Sequence, residues 1–170
     1  MDYTSNYISP LGAMTLASDG MSLVGLWFHS QKHFASTLSA DHVERDDVPV
    51  FDEAKHWLDD YFSGRIPCFT PMLAFRATSF QRRVWEILLT IPYGETMTYG
   101  EIARIVAKQN GRSAMSARAV GGAVGHNPIS LIVPCHRVVG ADGRLTGYAG
   151  GVERKAHLIR MEKDNLSKTL

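Results

Sequence analysis

Residues 98–128 read TYGEIARIVAKQNGRSAMSARAVGGAVGHNP, and the spacing of their breaks decides the fold of the C-terminal half. Thr98-x-x-Glu101 has the form of a capping box, in which a hydroxyl and a carboxylate satisfy the free N–H groups at a helix start. It predicts a helix through Ile102 to Lys108. Asn110-Gly111 then breaks the chain, and Ser113 opens a second predicted helix running toward Asn127-Pro128. Upstream, Thr78-x-x-Gln81 repeats the capping pattern, with Phe80, Val84, Trp85, Leu88 and Leu89 at helical spacing until Pro92. Helix, glycine-containing break and helix on a basic segment outline a helix-turn-helix, although two short helices in a row also occur in folds that bind no nucleic acid.

The basic character belongs to one half. Residues 1–75 hold 10 acidic against 4 basic side chains, a balance of −6, while residues 76–170 hold 7 against 14, a balance of +7. A polyanionic partner is therefore expected to meet the C-terminal half, the alternative being two ordinary solvated surfaces. In the acidic half, Met14 to Ala17 and Ser22 to Phe28 read as strands around Ser18-Asp19-Gly20, and Phe51 to Phe62 as an amphipathic helix. Ser39 to Pro49 reads partly as loop, and Gly64 to Thr70 as a connection, which places two domains at 1–75 and 76–170.

The whole chain has 170 residues, 45% of them hydrophobic and 21% charged, so it can bury a core unaided. A disordered chain, a miniprotein and a coiled-coil rod are excluded. No apolar run approaches the ~20 residues of a membrane span, and Met1 to Pro10 lacks the features of a secretory leader, so no membrane partner is expected. Two cysteines, Cys68 and Cys135, make no disulfide framework, and a reducing cytoplasm is the expected home.

The apolar run Ile129 to Val133 predicts a buried strand leading into Pro134-Cys135-His136-Arg137-Val138. After the turn Ala141-Asp142-Gly143 comes Gly147-Tyr148-Ala149-Gly150-Gly151. A thiol at its free pKa of ~8.5 is only ~3% thiolate at pH 7, and lowering that pKa by ~2 units raises the fraction to roughly three-quarters. His136, Arg137 and nearby helix ends are the groups that could do so. Cys135 is thus either a nucleophile or a small buried hydrophobe.

These motifs resemble the O6-alkylguanine-DNA alkyltransferases, also called methylated-DNA–protein-cysteine methyltransferases. Pro134-Cys135-His136-Arg137-Val138 looks like the family's acceptor motif, with Arg118-Ala119-Val120-Gly121-Gly122-Ala123, Asn127-Pro128 and Tyr148-Ala149-Gly150-Gly151 around it in the family's order. The resemblance is strong over about residues 79–162 and weak over 1–75. It implies an α/β plus mainly α architecture: a small ribonuclease-H-like α/β domain, then a winged-helix-like helix-turn-helix domain. The implied partner is duplex DNA, bound through the minor groove by a monomer.

On that resemblance Ala117, Ala119 and Gly121 form the close-approach face of the recognition helix, with Ser116 where alanine is commoner. Arg118 fills the stack vacated by a flipped base, and Tyr99 crowds the 3′ phosphate so that the nucleotide rotates outward. Cys135 would take the alkyl group irreversibly, with His136 as its base and Glu162 orienting the imidazole. Tyr148 and the Ala149 N–H would stabilise the departing guanine oxygen. The carbonyls of Cys135 and Val138 would read the exocyclic amine, and Asn127 would brace the turn. Each molecule would react once, on O6-alkylguanine and, pocket volume permitting, O4-alkylthymine.

The resemblance implies no S-adenosylmethionine or other organic cofactor, since damaged DNA is the donor. No metal is expected, because no Cys/His grouping has zinc-ligand spacing. Cys68 is expected to be a buried small residue. The stretch from Tyr99 to Arg118 is longer than in compact members of the family, Lys108 to Ser113 enlarging the turn. Two rivals remain: a DNA-binding module that recognises without transfer, and a thiol hydrolase using Cys135 and His136.

Overall fold

The structure, a computed structural model, describes residues 1–169. Met1–Arg76 and the short segment Pro128–Ser130 form one compact unit, and Ala77–Asn127 with the chain from Leu131 onward forms the other.

The first unit is built on a four-stranded sheet in the order β3-β2-β1-β4. Strands β1 (Asp2–Ser9), β2 (Gly12–Ser18) and β3 (Leu23–Phe28) run antiparallel, and β4 (His42–Glu44) lies parallel to β1. The sequence signal for β1 is weak because its buried positions are polar. Asp2 is held by Arg76 Nη1 and Nη2 at 2.6 and 2.8 Å and by the Ser39 N–H at 2.8 Å. Ser5 Oγ donates to Asp46, and Ser9 Oγ to the Gly12 carbonyl. Buried polar groups with partners are tolerated where a hydrophobicity pattern would not place them. Strand β4 falls inside the stretch read partly as loop; it is three residues long and fully exposed.

Helix α1 (Pro49–Phe62) begins two residues before the expected start, because Pro49 at its first turn needs no N–H partner there. Its buried face, Val50, Phe51, Ala54, Trp57, Leu58 and Tyr61, packs across β1, β2 and β3. Strand β3 is buried along its whole length, and its outer edge is covered by two crossing segments. Leu23 exchanges backbone bonds with Met72 and Ala74, and Leu26 does so with Pro128 and Ser130.

That second crossing corrects the strand expected at Ile129 to Val133. Only Ile129 makes a bridge, after which Leu131, fully buried, takes a φ of 71° and turns the chain away. The buried Gln31 side chain ties down the same segment. Its Oε1 accepts from the Phe28 N–H at 2.8 Å and from Ser130 Oγ at 3.1 Å. Cys68 is exposed, not the buried small residue the sequence suggested, because it sits in the irregular connection after α1.

The second unit contains α2 (Ser79–Leu88), α3 (Tyr99–Gln109), α4 (Ala117–Gly125) and α5 (Val152–Thr169), with β5 (Met97–Thr98) parallel to β6 (Val138–Val139). Both expected capping boxes are present, Thr78 with Gln81 and Thr98 with Glu101. Helices α2, α3 and α4 pack on one another, and the Trp85 indole N–H donates to the Ala123 carbonyl at 2.8 Å. Helix α4 starts at Ala117, four residues after the expected Ser113. Ser116 is the residue whose Oγ accepts from the Ala119 N–H, and a start there puts Val120, Ala123 and Val124 on the buried face. Among the described residues no helix is long and apolar enough to cross a membrane.

Candidate active site

Local backbone geometry presents Cys135. Pro134, at φ −81° and ψ 65°, makes an inverse γ-turn closed by the Cys135 N–H on the Val133 carbonyl at 2.8 Å. Asn127 Nδ2 donates to the same carbonyl at 2.8 Å, so the residue expected to brace this turn does contact it. Cys135–Arg137 forms one 3₁₀ turn, whose closing bond runs from the Val138 N–H to the Cys135 carbonyl. That carbonyl keeps one lone pair for a further donor.

The Cys135 side chain is only 4% exposed. Burial pushes its thiol above the ordinary value, opposed by the Asn127 side chain, the Lys155 charge and local backbone N–H groups. Neighbouring groups do pull this pKa down, but burial outweighs them, and Cys135 is a neutral thiol. A base is needed to activate it.

The residue after Cys135, His136, is held by a buried network. His136 is 0% and Glu162 1% exposed, so Glu162 is no surface helix carboxylate. His136 Nε2 donates to Glu162 Oε2 at 2.6 Å, and Arg137 reaches both carboxylate oxygens, Nε to Oε1 at 2.8 Å and Nη2 to Oε2 at 3.2 Å. The Gly94 N–H adds a bond to Oε1 at 2.9 Å, and Arg137 Nη1 donates to the Ile91 carbonyl at 2.7 Å. Burial alone would raise the Glu162 pKa; the His136 hydrogen bond and the Arg137 guanidinium outweigh it and hold the carboxyl down to about 2. Burial lowers His136, against the pull of Glu162. With Arg137 already neutralising Glu162, the imidazole stays uncharged, its Nε2–H fixed toward the carboxylate and Nδ1 serving as the basic nitrogen.

A second cluster fixes the loop that carries Tyr148. The Thr146 carbonyl accepts from Tyr99 Oη at 3.0 Å and from Lys155 Nζ at 2.9 Å. Tyr148 is 7% exposed, and its hydroxyl has no hydrogen-bond partner among the described residues. Burial, then the proximity of Cys135, keeps its pKa well above the ordinary value, so it remains a phenol and a donor. Gly150 permits this ring position, since a Cβ there would lie 2.5 Å from Tyr148 Cε2. Ala149 is half-buried between them.

The sequence reading gave no individual role to Arg137 and missed Lys155 altogether. Lys155, Leu158 and Glu162 are the buried positions of α5, spaced as one face of the helix, and a charge recurring on such a face was the available signal. Burial lowers Lys155 to about 8, with Cys135 pulling the other way.

Away from the thiol, Ala117, Arg118 and Ala119 are exposed on the first turn of α4, and Arg118 has no side-chain partner among the described residues. Ser116 is spent on capping. Gly121 is half-buried, with a Cβ position 3.8 Å from the Tyr99 ring. Val138 lies at the end of the 3₁₀ turn, in β6. No cluster of three or more metal-ligating side chains occurs among the described residues.

Comparison with known proteins agrees with this division of labour. Residues 3–75 match the 6-O-methylguanine DNA methyltransferase ribonuclease-like domain, and residues 79–164 match the DNA binding domain of the same family. The α/β architecture followed by a helix-turn-helix domain is therefore the family's own. The methylated-DNA–protein-cysteine methyltransferase of Mycobacterium tuberculosis is 47% identical over 91% of this chain and 88% of its own length. That of Haemophilus influenzae is 39% identical over 95% and 86%. The crystal structure of Mycobacterium tuberculosis OGT in complex with DNA is similar at a TM-score of 0.82, with 45% identity over 96% of this chain and 94% of that one. Two matched domains in sequence order, and relatives alike over nine-tenths of its length, make this chain a member of the methylated-DNA–protein-cysteine methyltransferase family.

Proposed function

We propose that this chain repairs O6-alkylguanine in duplex DNA by direct reversal, moving the alkyl group onto Cys135 once per molecule. The observation that carries the reading is a buried neutral thiol followed directly in the chain by a buried imidazole, itself oriented by an ionised Glu162. A thiol hydrolase would share the imidazole, but the family's transfer chemistry favours an acceptor.

The step balances without a co-reactant. His136 Nδ1 takes the thiol proton, directly or across one water, as the Cys135 Sγ–carbon bond forms and the carbon–O6 bond breaks. The Tyr148 hydroxyl donates to O6 as guanine leaves, and the proton taken from the thiol ends on guanine. The product is a thioether with no good leaving group, so the thiol is not regenerated. The Ala149 N–H supports the departing oxygen, while the Cys135 and Val138 carbonyls read the exocyclic amine. O4-alkylthymine enters on the same terms if the pocket admits it.

The lesion oxygen is out of reach in a stacked pair, so the base must be extruded, at a cost of a few kcal/mol. In this reading α4 enters the minor groove through Ala117, Ala119 and Gly121, Arg118 fills the gap, and Tyr99 crowds the backbone. The protein acts as a monomer in the cytoplasm.

Incubation with duplex containing one O6-methylguanine is expected to add the mass of a single methylene unit (hydrogen replaced by methyl), on the Cys135 peptide, saturating at one per chain. Gain on the exposed Cys68, or continued turnover, would overturn the assignment. Arg118→Ala is expected to slow reaction with the duplex lesion by ten-fold or more while leaving reaction with the free alkylated base near the wild-type rate. Equal slowing of both would remove the finger role.

A further inference from the structure

We propose that Arg104, Lys108 and Arg112 form a second DNA-backbone contact surface, gripping phosphates of undamaged duplex beside the recognition helix. The inference rests on the reading of this chain as one that acts on duplex DNA. Residues 97–127 hold four basic side chains against one acidic, Glu101. Glu101 is committed to its own helix cap, where its carboxylate accepts from the Thr98 N–H.

Arg104 and Lys108 are exposed one turn apart on α3, and Arg112 is exposed just beyond it. None of the three has a side-chain hydrogen-bond or ion-pair partner among the described residues. The turn itself is closed by backbone alone: the Asn110 N–H meets the Val106 carbonyl, Gly111 meets Lys108, and Arg112 meets Ala107 at 2.8 Å. Gly111 takes the left-handed φ of 66° that this closure requires. The cations are therefore not spent on holding the turn.

Nor does helix stability account for them. Like charges at i and i+4 cost a few tenths of a kcal/mol. Lys108 recovers some of that from the helix C-terminus, but Arg104 sits mid-helix and Arg112 outside it. Their position supplies the reason. In a helix-turn-helix the first helix crosses the phosphate backbone while the N-terminal turn of the second meets the bases. The 110–116 segment feeds directly into that N-terminal turn, at Ser116 and Arg118. A stripe running from Arg104 through Lys108 to Arg112 thus lies along the backbone that flanks the site.

The test is the salt dependence of binding to undamaged duplex, measured on the full chain. The variant Arg104→Gln/Lys108→Gln/Arg112→Gln keeps the side-chain stems and is expected to flatten the slope of log K against log salt by about 2.7, at about 0.9 for each phosphate no longer neutralised. The comparison variant Arg160→Gln/Lys163→Gln/Lys168→Gln removes the same charge from exposed positions of α5 and is expected to change the slope by less than half as much. An unchanged slope in the first variant, or equal flattening in both, overturns the proposal. If the wild-type chain shows no salt-dependent duplex binding at all, the DNA reading falls and this surface with it, a result distinct from either.

Discussion

Cys135→Ala is expected to bind the lesion duplex about as well as wild type and to transfer no alkyl group. The effect is total because nothing else in the site can take the carbon. The buried His136, held against Glu162, acts as proton acceptor, and Cys68 is exposed in a connection of the other unit, without a buried imidazole network. Stability should move little, since the substitution exchanges one small buried group for another, at a cost of about 1 kcal/mol. Binding can be read by fluorescence anisotropy and transfer by intact mass on the same samples. Residual transfer at a wild-type rate would mean the nucleophile is misassigned; loss of binding together with transfer would mean the variant had unfolded, which a thermal melt separates. Cys135→Ser makes the point independently, because a buried serine hydroxyl is a far weaker nucleophile than a thiolate at any accessible pH.

The second large effect is on stability. Arg137→Met removes both guanidinium bonds to Glu162 and the bond to the Ile91 carbonyl, so that a carboxylate only 1% exposed must rely on His136 and Gly94. Breaking a buried pair from one side costs about 3–5 kcal/mol, a drop of roughly 10 °C in Tm for a chain of this size. The double variant Arg137→Met/Glu162→Met is expected to recover much of that loss, since no charge is then stranded. If the two substitutions are simply additive, the pair is not coupled.

The pH dependence follows from the same groups. Unfolded His136 takes up a proton near pH 6.5, while the buried imidazole resists it, so the unfolded state binds more protons and stability falls as pH drops below that value. Glu162 adds to the loss: unfolded it protonates near 4.5, folded only near 2, so its contribution disappears as pH falls through that window. Arg137→Met should shrink the Glu162 part of the acid limb. Denaturant melts from pH 7 to pH 3 on both proteins measure it, and identical acid limbs would place the pH sensitivity elsewhere.

Local rules read well where the code is local. The capping boxes at Thr78 and Thr98, the break at Asn110-Gly111 and the amphipathic face of α1 each involve residues three or four apart, and all are present. The motifs around Cys135 and their order were legible through the family resemblance they carry. Misreadings arose where equivalent local choices compete: Ser113 and Ser116 can both cap, and only the need to bury Val120 and Val124 selects the second. Strand β1 escaped because its buried positions, Asp2, Ser5 and Ser9, are polar and do not alternate, and their partners lie at Arg76, Asp46 and Gly12.

Short-range spacing and residue type thus carried the two-part architecture and the helix, break, helix outline, while the motifs around Cys135 carried the family resemblance. The electrostatic state of the site, by contrast, belongs to the folded arrangement. Whether Cys135 is thiol or thiolate, whether Glu162 is ionised, and whether Lys155 faces solvent or Thr146 depend on burial and on partners up to 68 residues away, the separation of Gly94 and Glu162. The free energy of a charge is set by what surrounds it in space, and neighbours in sequence do not fix those surroundings.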